Sequence, residues 1–480
     1  MPFDVDYHAI APEITLASTA LIVLFIDLFL RPERKWWSMV VGFLGVAAAL
    51  GLTLTLIGET RTSFGGAYVI DSFAVLFKVF FLVVALVVLL LSLRYFQEGR
   101  YYQGEYYFLV LSSFLGMLTI SSSRDLLMLF ISLELVSAPG FLMAGLRKRD
   151  PRSNEAALKF FLIGILSTAV MLYGMSLVYG ITGSLRLDEI AARIGGANAN
   201  IALAAILFVV AGFGFKVSSV PFHFWAPDTY EGSPVPVAAF LSVASKAAGF
   251  AGLLQLMFIA FQPLASFWTP IFAVFSVATM GIGNLVALQQ RQVVRLLAYS
   301  SVAQSGYILL PFALVGASTA VNQEAFAAAT LYILIYGVMN LGAFAVVTAI
   351  ARESPGALIS DFAGLGRRAP IVAVSMMLFL LSLAGIPPLA GFWGKFFIFD
   401  AAISGDGAWL AGVMVVNSVI SIYYYVGIVR QMFFVDVAES RPFRAPAAVM
   451  GVVLLATAAV LAVGIFPDLF ATFPPSATLP

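Results

Sequence analysis

Apolar runs of about 20 residues, set off by short polar connections, repeat along the whole chain. That is the length a helix needs to cross the hydrocarbon of a bilayer. The runs predict helices over approximately 12–30, 37–57, 73–93, 106–121, 125–146, 156–182, 201–224, 234–261, 269–288, 293–313, 325–350, 370–398, 408–434 and 447–470, fourteen in all. Little more than SSSRD joins the fourth to the fifth. The longest connections, near 182–200 and 351–370, are too short for a soluble domain. The fold class expected is all-α integral membrane.

Two runs contain residues that a membrane helix should reject. In GFGFKVSSVPFHFWAPD, Gly212 to Asp228, Lys216 lies well inside the apolar stretch, Pro221 interrupts it and His223 follows. In LLSLAGIPPLAGFWGKFFIF, Gly385, Pro387, Pro388 and Gly391 precede Lys395. A proline removes a backbone hydrogen bond and breaks a helix. Irregular backbone at membrane depth is tolerated only inside protein or beside water. These are the seventh and twelfth helices, five apart. Helices four to eight and nine to thirteen therefore read as two repeats, and an odd number of helices per repeat inverts the second. Interrupted helices in matching positions of inverted halves mark an ion pathway. The expected organisation is helices one to three in 1–105, the first inverted repeat in 106–262, the second in 263–434, and a last helix in 435–480.

Other charges also lie deep. Lys246 is near the middle of the eighth helix and Glu134 near the middle of the fifth. A charge at the bilayer centre costs about 2.5–3.5 kcal/mol on insertion scales and normally faces a bundle interior or water. Glu134 and Lys216 are expected to offset each other as a pair. A lysine whose counter-charge moves away can give up its proton, whereas a fixed pair would serve packing only. Lys78 and Lys159 lie near helix ends and are expected to snorkel to the interface. Polar residues at helical spacing form three stripes: Ser300, Gln304, Tyr307; Tyr332, Tyr336, Asn340; and Asn417, Ser421, Tyr424. Each covers one face. One such stripe is interhelical glue; three beside buried lysines point to a hydrated axis.

Composition agrees and narrows the chemistry. The 480 residues are 61% hydrophobic and 11% charged, against about 25% charged in soluble domains. Seventeen basic residues fall in one alternate set of connections, Arg100, Arg441 and Arg444 among them, and four in the other. By the positive-inside rule the first set is cytoplasmic and both termini are external. The first segment, MPFDVDYHAIAPE, has no basic leader, so the first helix is expected to stay. There are no cysteines, which excludes disulfides and thiolate-held clusters, and His8 and His223 are the two histidines. No dinucleotide fingerprint or phosphate loop occurs. No cofactor or metal site is expected in this chain.

The stretch FKVSSVPFHFWAPDTYEGSPVPVAAFLSVASK resembles the signature of the antiporter-like subunits of respiratory complex I and of multi-subunit cation/proton antiporters. The resemblance extends over Glu134, Lys216, Lys246, RLLAYSSVAQSGYI, GIPPLAGFWGKF and NSVISIYYYVGIVRQMF, essentially the whole chain. Within that family, three features are similar to the subunit N group of bacterial NADH-quinone oxidoreductases. They are an end after the fourteenth helix without a lateral amphipathic helix, the segment PDTYEGSPVPV followed by ASK, and Lys395 at the twelfth-helix break. One departure is Gln304, where many members carry His. Glutamine cannot titrate, so a proton passing there would use water or Ser300, Tyr307 and Tyr332. The resemblance also draws attention to Glu155 and Lys159 as a cytoplasmic uptake point.

The resemblance implies a proton-translocating subunit driven by quinone reduction elsewhere. Glu134, Lys216, Lys246 and Lys395 are its expected proton-transfer groups. Glu155, Lys159, His223, Gln304, Tyr307 and Tyr332 are candidates for the path. His223 either tunes Lys216 or caps the broken helix. NADH, flavin, iron–sulfur clusters and quinone are expected in partner subunits. The expected partners are other antiporter-like and small membrane subunits and the lipid bilayer, with no nucleic acid, and the expected place is the bacterial inner membrane. The alternatives are a subunit of a stand-alone cation/proton antiporter, a structural membrane spacer, and a solute transporter, for which no recognition pocket is legible.

Overall fold

The computed structural model describes residues 5–98, 103–354, 356–436, 443 and 445–468. Arg100, Arg441 and Arg444, counted above as cytoplasmic, lie outside them. The helices are α1 Ala11–Phe29, α2 Trp36–Leu54, α3 Ser72–Glu98, α4 Gln103–Ser122, α5 Leu126–Ala144, α6 Pro151–Thr182, α7 Leu187–Ile194, α8 Ala199–Val217, α9 Trp225–Gly232 and α10 Val235–Phe240. There follow α11 Lys246–Gln255, α12 Ala265–Ala287, α13 Val293–Leu309, α14 Thr319–Ala351, α15 Leu365–Arg368, α16 Pro370–Ala384, α17 Ala390–Ser404, α18 Ala408–Phe434 and α19 Ala447–Ile465. Among the described residues, twelve helical stretches are long and apolar enough to cross a membrane. The expected fourth span is present as α4, and the twelfth as the two short helices α16 and α17; neither is among the twelve.

One element departs from an all-helical reading. Arg61–Ser63 (β1) and Tyr68–Ile70 (β2) pair antiparallel between α2 and α3, with Arg61 opposite Ile70. The turn uses Gly65 and Gly66 at positive φ, which glycine adopts without steric cost. Beside this hairpin, Arg61 bonds Asp6 and Glu59, and its guanidinium holds both carboxyls below their usual range.

Two compact units divide the chain. The described residues of the first lie within 1–216 and 244–268, those of the second within 217–243 and 269–468. In the first, α4 packs along α5, α1 along α2 and α4, and α11 against α4 and α5. Gly116 of α4 permits the α4–α5 approach, because a Cβ there would lie 2.7 Å from the Ser132 carbonyl oxygen. In the second, α14 packs against α10, α16, α17 and α19, and α9 against α13.

Both proline breaks are present, with edges that follow from backbone hydrogen bonding. The seventh span was expected to run to 224, but α8 ends at Val217 and Ser218 takes φ +57. Pro221 has no N–H to offer the carbonyl of Val217 four residues back, so the helix stops at Val217, four residues before the proline. In the second break α16 ends at Ala384, Gly385 takes φ +92, and α17 starts at Ala390. Pro388 likewise has no N–H for the carbonyl of Ala384. The eighth span, Val235–Ala260, contains two π-helical turns, Leu241–Ser245 and Leu256–Ala260. The first delivers the chain directly to Lys246. Such turns are often found at functional sites.

Candidate functional site

In the first unit Lys216 occupies the last turn of α8, where the negative end of a helix dipole favours a cation. Its side chain is 5% exposed. Its Nζ donates to Ser137 Oγ at 2.8 Å, and Ser137 Oγ donates to the Leu133 carbonyl at 2.7 Å. Glu134 is half-buried one turn earlier on α5 and accepts from Thr168 Oγ1 of α6 at 2.9 Å. A hydroxyl on α5 thus takes the ammonium. Glu134 stays within electrostatic reach of Lys216 while bonded to a different partner. Lys246 opens α11 and is 2% exposed, in a helix packed on α4 and α5.

The path candidates Lys159 and Glu155 form an ion pair at 2.6 Å, with side chains 43% and 64% exposed. Lys159 is therefore a surface cation one helical turn from its carboxylate. Lys78 corrects the sequence reading. It does not snorkel: it is fully buried, 2.8 Å from Glu13 Oε1, and donates to the Tyr68 hydroxyl at 2.6 Å. Helix-end position suggested an interfacial lysine because the partner, 65 residues away, is invisible to local spacing.

In the second unit Lys395 of α17 is 5% exposed. Its Nζ donates to the Ala384 carbonyl at 3.0 Å and to Ser418 Oγ at 3.1 Å, and lies 4.4 Å from the Tyr307 ring centre. The carbonyl left open by Pro388 is thus the one that holds the lysine. Hydrogen bonds to a charged group contribute about 1.5–3 kcal/mol each, and the ring about 0.5–2. Together these offset the cost of burying the ammonium without a carboxylate.

The polar stripes meet around this site. Gln304 Nε2 donates to the Leu383 carbonyl at 3.1 Å and to the Tyr425 hydroxyl at 3.4 Å, and the Tyr332 hydroxyl donates to Gln304 Oε1. Ser300 bonds Tyr425. Asn284 Nδ2 donates to the Tyr307 hydroxyl oxygen and to Asn417 Oδ1, both at 3.2 Å, and its Oδ1 accepts from Tyr424 at 2.9 Å. Asn340 Nδ2 donates to Ser242 Oγ and to the Tyr336 hydroxyl oxygen, both at 2.9 Å. The Tyr336 hydroxyl bonds Ser301 at 2.7 Å. His223 turns the chain into α9, its carbonyl accepting from the Ala226 N–H at 3.0 Å.

Sequence reasoning missed Ser137, Thr168, Asn284, Ser418 and Tyr425. Asn284 had a signal, as a lone amide in the apolar run GIGNLVAL. Tyr425 was hidden beside Tyr424, and single serines in apolar helices carry no distinguishing pattern.

The sequence profile described as NADH:quinone oxidoreductase/Mrp antiporter, TM matches residues 123–421. The chain is 37% identical over 474 residues to the NADH-quinone oxidoreductase subunit N of Trichlorobacter lovleyi, covering 98% of this chain and 96% of that one. The chain belongs to this antiporter-like family. The F(420)H(2) dehydrogenase subunit N of Methanosarcina mazei is 39% identical to this family member, over 96% of each chain. A chain of respiratory complex I from Thermus thermophilus with bound aureothin superposes with a TM-score of 0.80 at 33% identity, covering 96% of this chain and 98% of that one. The matched region holds Glu134, Lys216, Lys246, Gln304 and Lys395; Glu13 and Lys78 precede it, and Tyr424 and Tyr425 follow it.

Proposed function

We propose that this chain is a proton-translocating, antiporter-like subunit of the membrane arm of an NADH-quinone oxidoreductase. The observation that carries the reading is the pairing of each proline break with a buried lysine. Lys216 lies in the last turn of the helix before one break, and Lys395 takes the carbonyl opened by the other. Each ammonium also meets a hydroxyl, so each lysine has a neighbour through which a proton can leave or return. In the first unit Glu134 acts as the movable counter-charge of Lys216, and Lys246 is a further proton acceptor. In the second, Lys395 takes and releases the proton, with Tyr307, Tyr332 and Gln304 around it. Because Gln304 does not titrate, transfer past it uses water or the neighbouring hydroxyls.

Each proton moved against the potential costs about 2.3 kcal/mol per 100 mV. That energy comes from quinone reduction in partner subunits, which hold the NADH site, flavin, iron–sulfur clusters and quinone. This chain contributes to a translocase and carries no redox group of its own. Relatives named for NADH and for F(420)H(2) have nearly equal identity to it, which supports a donor read elsewhere in the complex. The chain is a multi-pass membrane protein of a respiratory complex, and we place both termini on the periplasmic side. It sits among other antiporter-like and small membrane subunits.

The test is proton pumping by the assembled complex carrying Lys216→Ala, Glu134→Ala or Lys395→Ala. Each is expected to lower protons moved per electron several-fold. Full pumping in all three would refute the assignment and favour a structural spacer.

A further inference from the structure

Glu13 and Lys78 take no part in the axis described above, and they precede the matched region. Yet Lys78 repeats its chemistry. Lys216 donates to Ser137, Lys395 to Ser418, and Lys78 to Tyr68. Each of these lysines is buried and each ammonium rests on a hydroxyl. Lys78 adds a carboxylate in direct contact, Glu13 Oε1 at 2.8 Å. It also lies against the Tyr68 ring, 4.8 Å from its centre. Glu13 is 7% exposed and is the third residue of α1; Lys78 is the seventh of α3.

Stability gives a poor account of this pair. Replacing a buried ion pair with packed apolar groups is often neutral or stabilising by about 1–4 kcal/mol. Snorkelling would also be available to a lysine about 9 Å from the start of its helix. The side chain instead turns inward.

A neighbouring pair shows what a fixed tie looks like in the same region. Arg124 bonds Asp71 and Gln255 with its two terminal nitrogens and the Ser123 carbonyl at 3.1 Å. Its backbone N–H donates to the Ala67 carbonyl at 2.8 Å. Arginine is the residue for such a tie because it does not release its proton in proteins. Three residues before Asp71, at Tyr68, the partner cation is a lysine, which can.

We propose that Glu13 and Lys78 are a further proton-exchanging site of this subunit, loading and releasing a proton at the hairpin end of α1 and α3. The inference rests on the proton-translocating reading above. The step is a transfer from Lys78 Nζ to Glu13 Oε1 across 2.8 Å. An N–H bond breaks and an O–H bond forms, so ammonium and carboxylate become amine and acid. The net charge of the pair is unchanged. The Tyr68 hydroxyl, whose oxygen is 3.2 Å from the Ala9 carbonyl, supplies the donor and acceptor that the neutral amine then needs. Release from the acid restores a carboxylate, and uptake by the amine restores the ammonium.

The experiment uses the whole complex in liposomes, with NADH oxidation and lumen acidification recorded together. Lys78→Arg keeps the charge and the ion pair but removes the exchangeable proton, so a structural role tolerates it. The double variant Glu13→Gln/Lys78→Met removes both charges and leaves neither unpaired. Lys216→Met is run beside them. We expect Lys78→Arg and the double variant each to lower protons per electron at least twofold, with oxidation retained. Wild-type pumping in either assembled variant overturns the inference. Failure of both to assemble assigns the pair to packing and overturns it too. Loss of pumping in Lys216→Met with normal pumping in the other two rejects this site alone. Normal pumping in Lys216→Met rejects the proton-translocating reading itself.

Discussion

Gly391→Ala tests whether the second break is held as closely as its function requires. A Cβ at Gly391 would stand 1.8 Å from the Ser382 carbonyl oxygen and 2.9 Å from Met339 Sδ. Ordinary contact begins near 3.5 Å, so the start of α17 must move by about 1.5 Å. Such overpacking costs about 1–3 kcal/mol. Lys395 lies one turn further along the same helix. Carried with it, the 3.0 Å bond from Nζ to the Ala384 carbonyl lengthens past the limit of a hydrogen bond. That loss is about 1.5–3 kcal/mol, a factor of roughly ten to a hundred in the population that holds Lys395 in place. The Gly391 N–H bond to Ser382 Oγ, now 2.9 Å, is strained with it. Gly412→Ala is the control, because nothing lies within 4 Å of its added methyl. The assay is protons moved per NADH oxidised by the purified complex in liposomes, with subunit content measured on the same sample. Gly391→Ala is expected to lower the ratio several-fold and Gly412→Ala to leave it unchanged. An assembled Gly391→Ala complex that pumps as well as the control would refute the reasoning, because the carbonyl contact of Lys395 would then be dispensable.

Two further outcomes follow from single contacts. Ser137→Ala removes the hydroxyl that accepts from Lys216; a loss of about 1.5–3 kcal/mol in holding the ammonium is expected to slow pumping about tenfold or more while the complex still assembles. Comparison with Thr168→Val, which frees Glu134 from its hydroxyl, separates the two ends of the pair by their pumping rates. At the hairpin, the Arg61 contact holds the Asp6 carboxyl below its ordinary value, so its stabilisation is complete above about pH 4 and fades as pH falls through the folded value. Protection of the Ala9 amide, whose N–H donates to Asp6 Oδ1 at 3.1 Å, is expected to fall on acidification when exchange is measured relative to the intrinsic rate at each pH, and Asp6→Asn to remove that change in protection.

The sequence made the breaks legible and left their partners obscure. Pro221, Pro387 and Pro388 announce interrupted helices because proline acts through its own missing donor. The edge of each break depends on which carbonyl that donor would have served, and this is why α8 stops at Val217 rather than at the expected 224. Buried lysines stand out against apolar neighbours, so Lys216, Lys246 and Lys395 could be named. Their acceptors could not, because Ser137 and Ser418 look like any serine in a membrane helix. Lys78 was misread for a related reason. Depth along one helix was visible, but the carboxylate opposite it on another was not. The hairpin at Arg61–Ile70 was missed because six strand residues between long helices barely alter the hydrophobic pattern.

Asn284 imposes a sense of direction on the hydroxyls around it. Its amide nitrogen serves Tyr307 and Asn417, and its oxygen serves Tyr424. A row of hydroxyls can reverse polarity by rotating O–H bonds one at a time. A carboxamide has no such freedom, because exchanging its ends means turning the whole group over and breaking three bonds at once. In this arrangement the phenol oxygen of Tyr307 faces a donor, and the hydroxyl of Tyr424 faces an acceptor. Around this node the amide therefore sets which group donates and which accepts, a constraint that the freely turning hydroxyls of Ser300 and Tyr425 do not share.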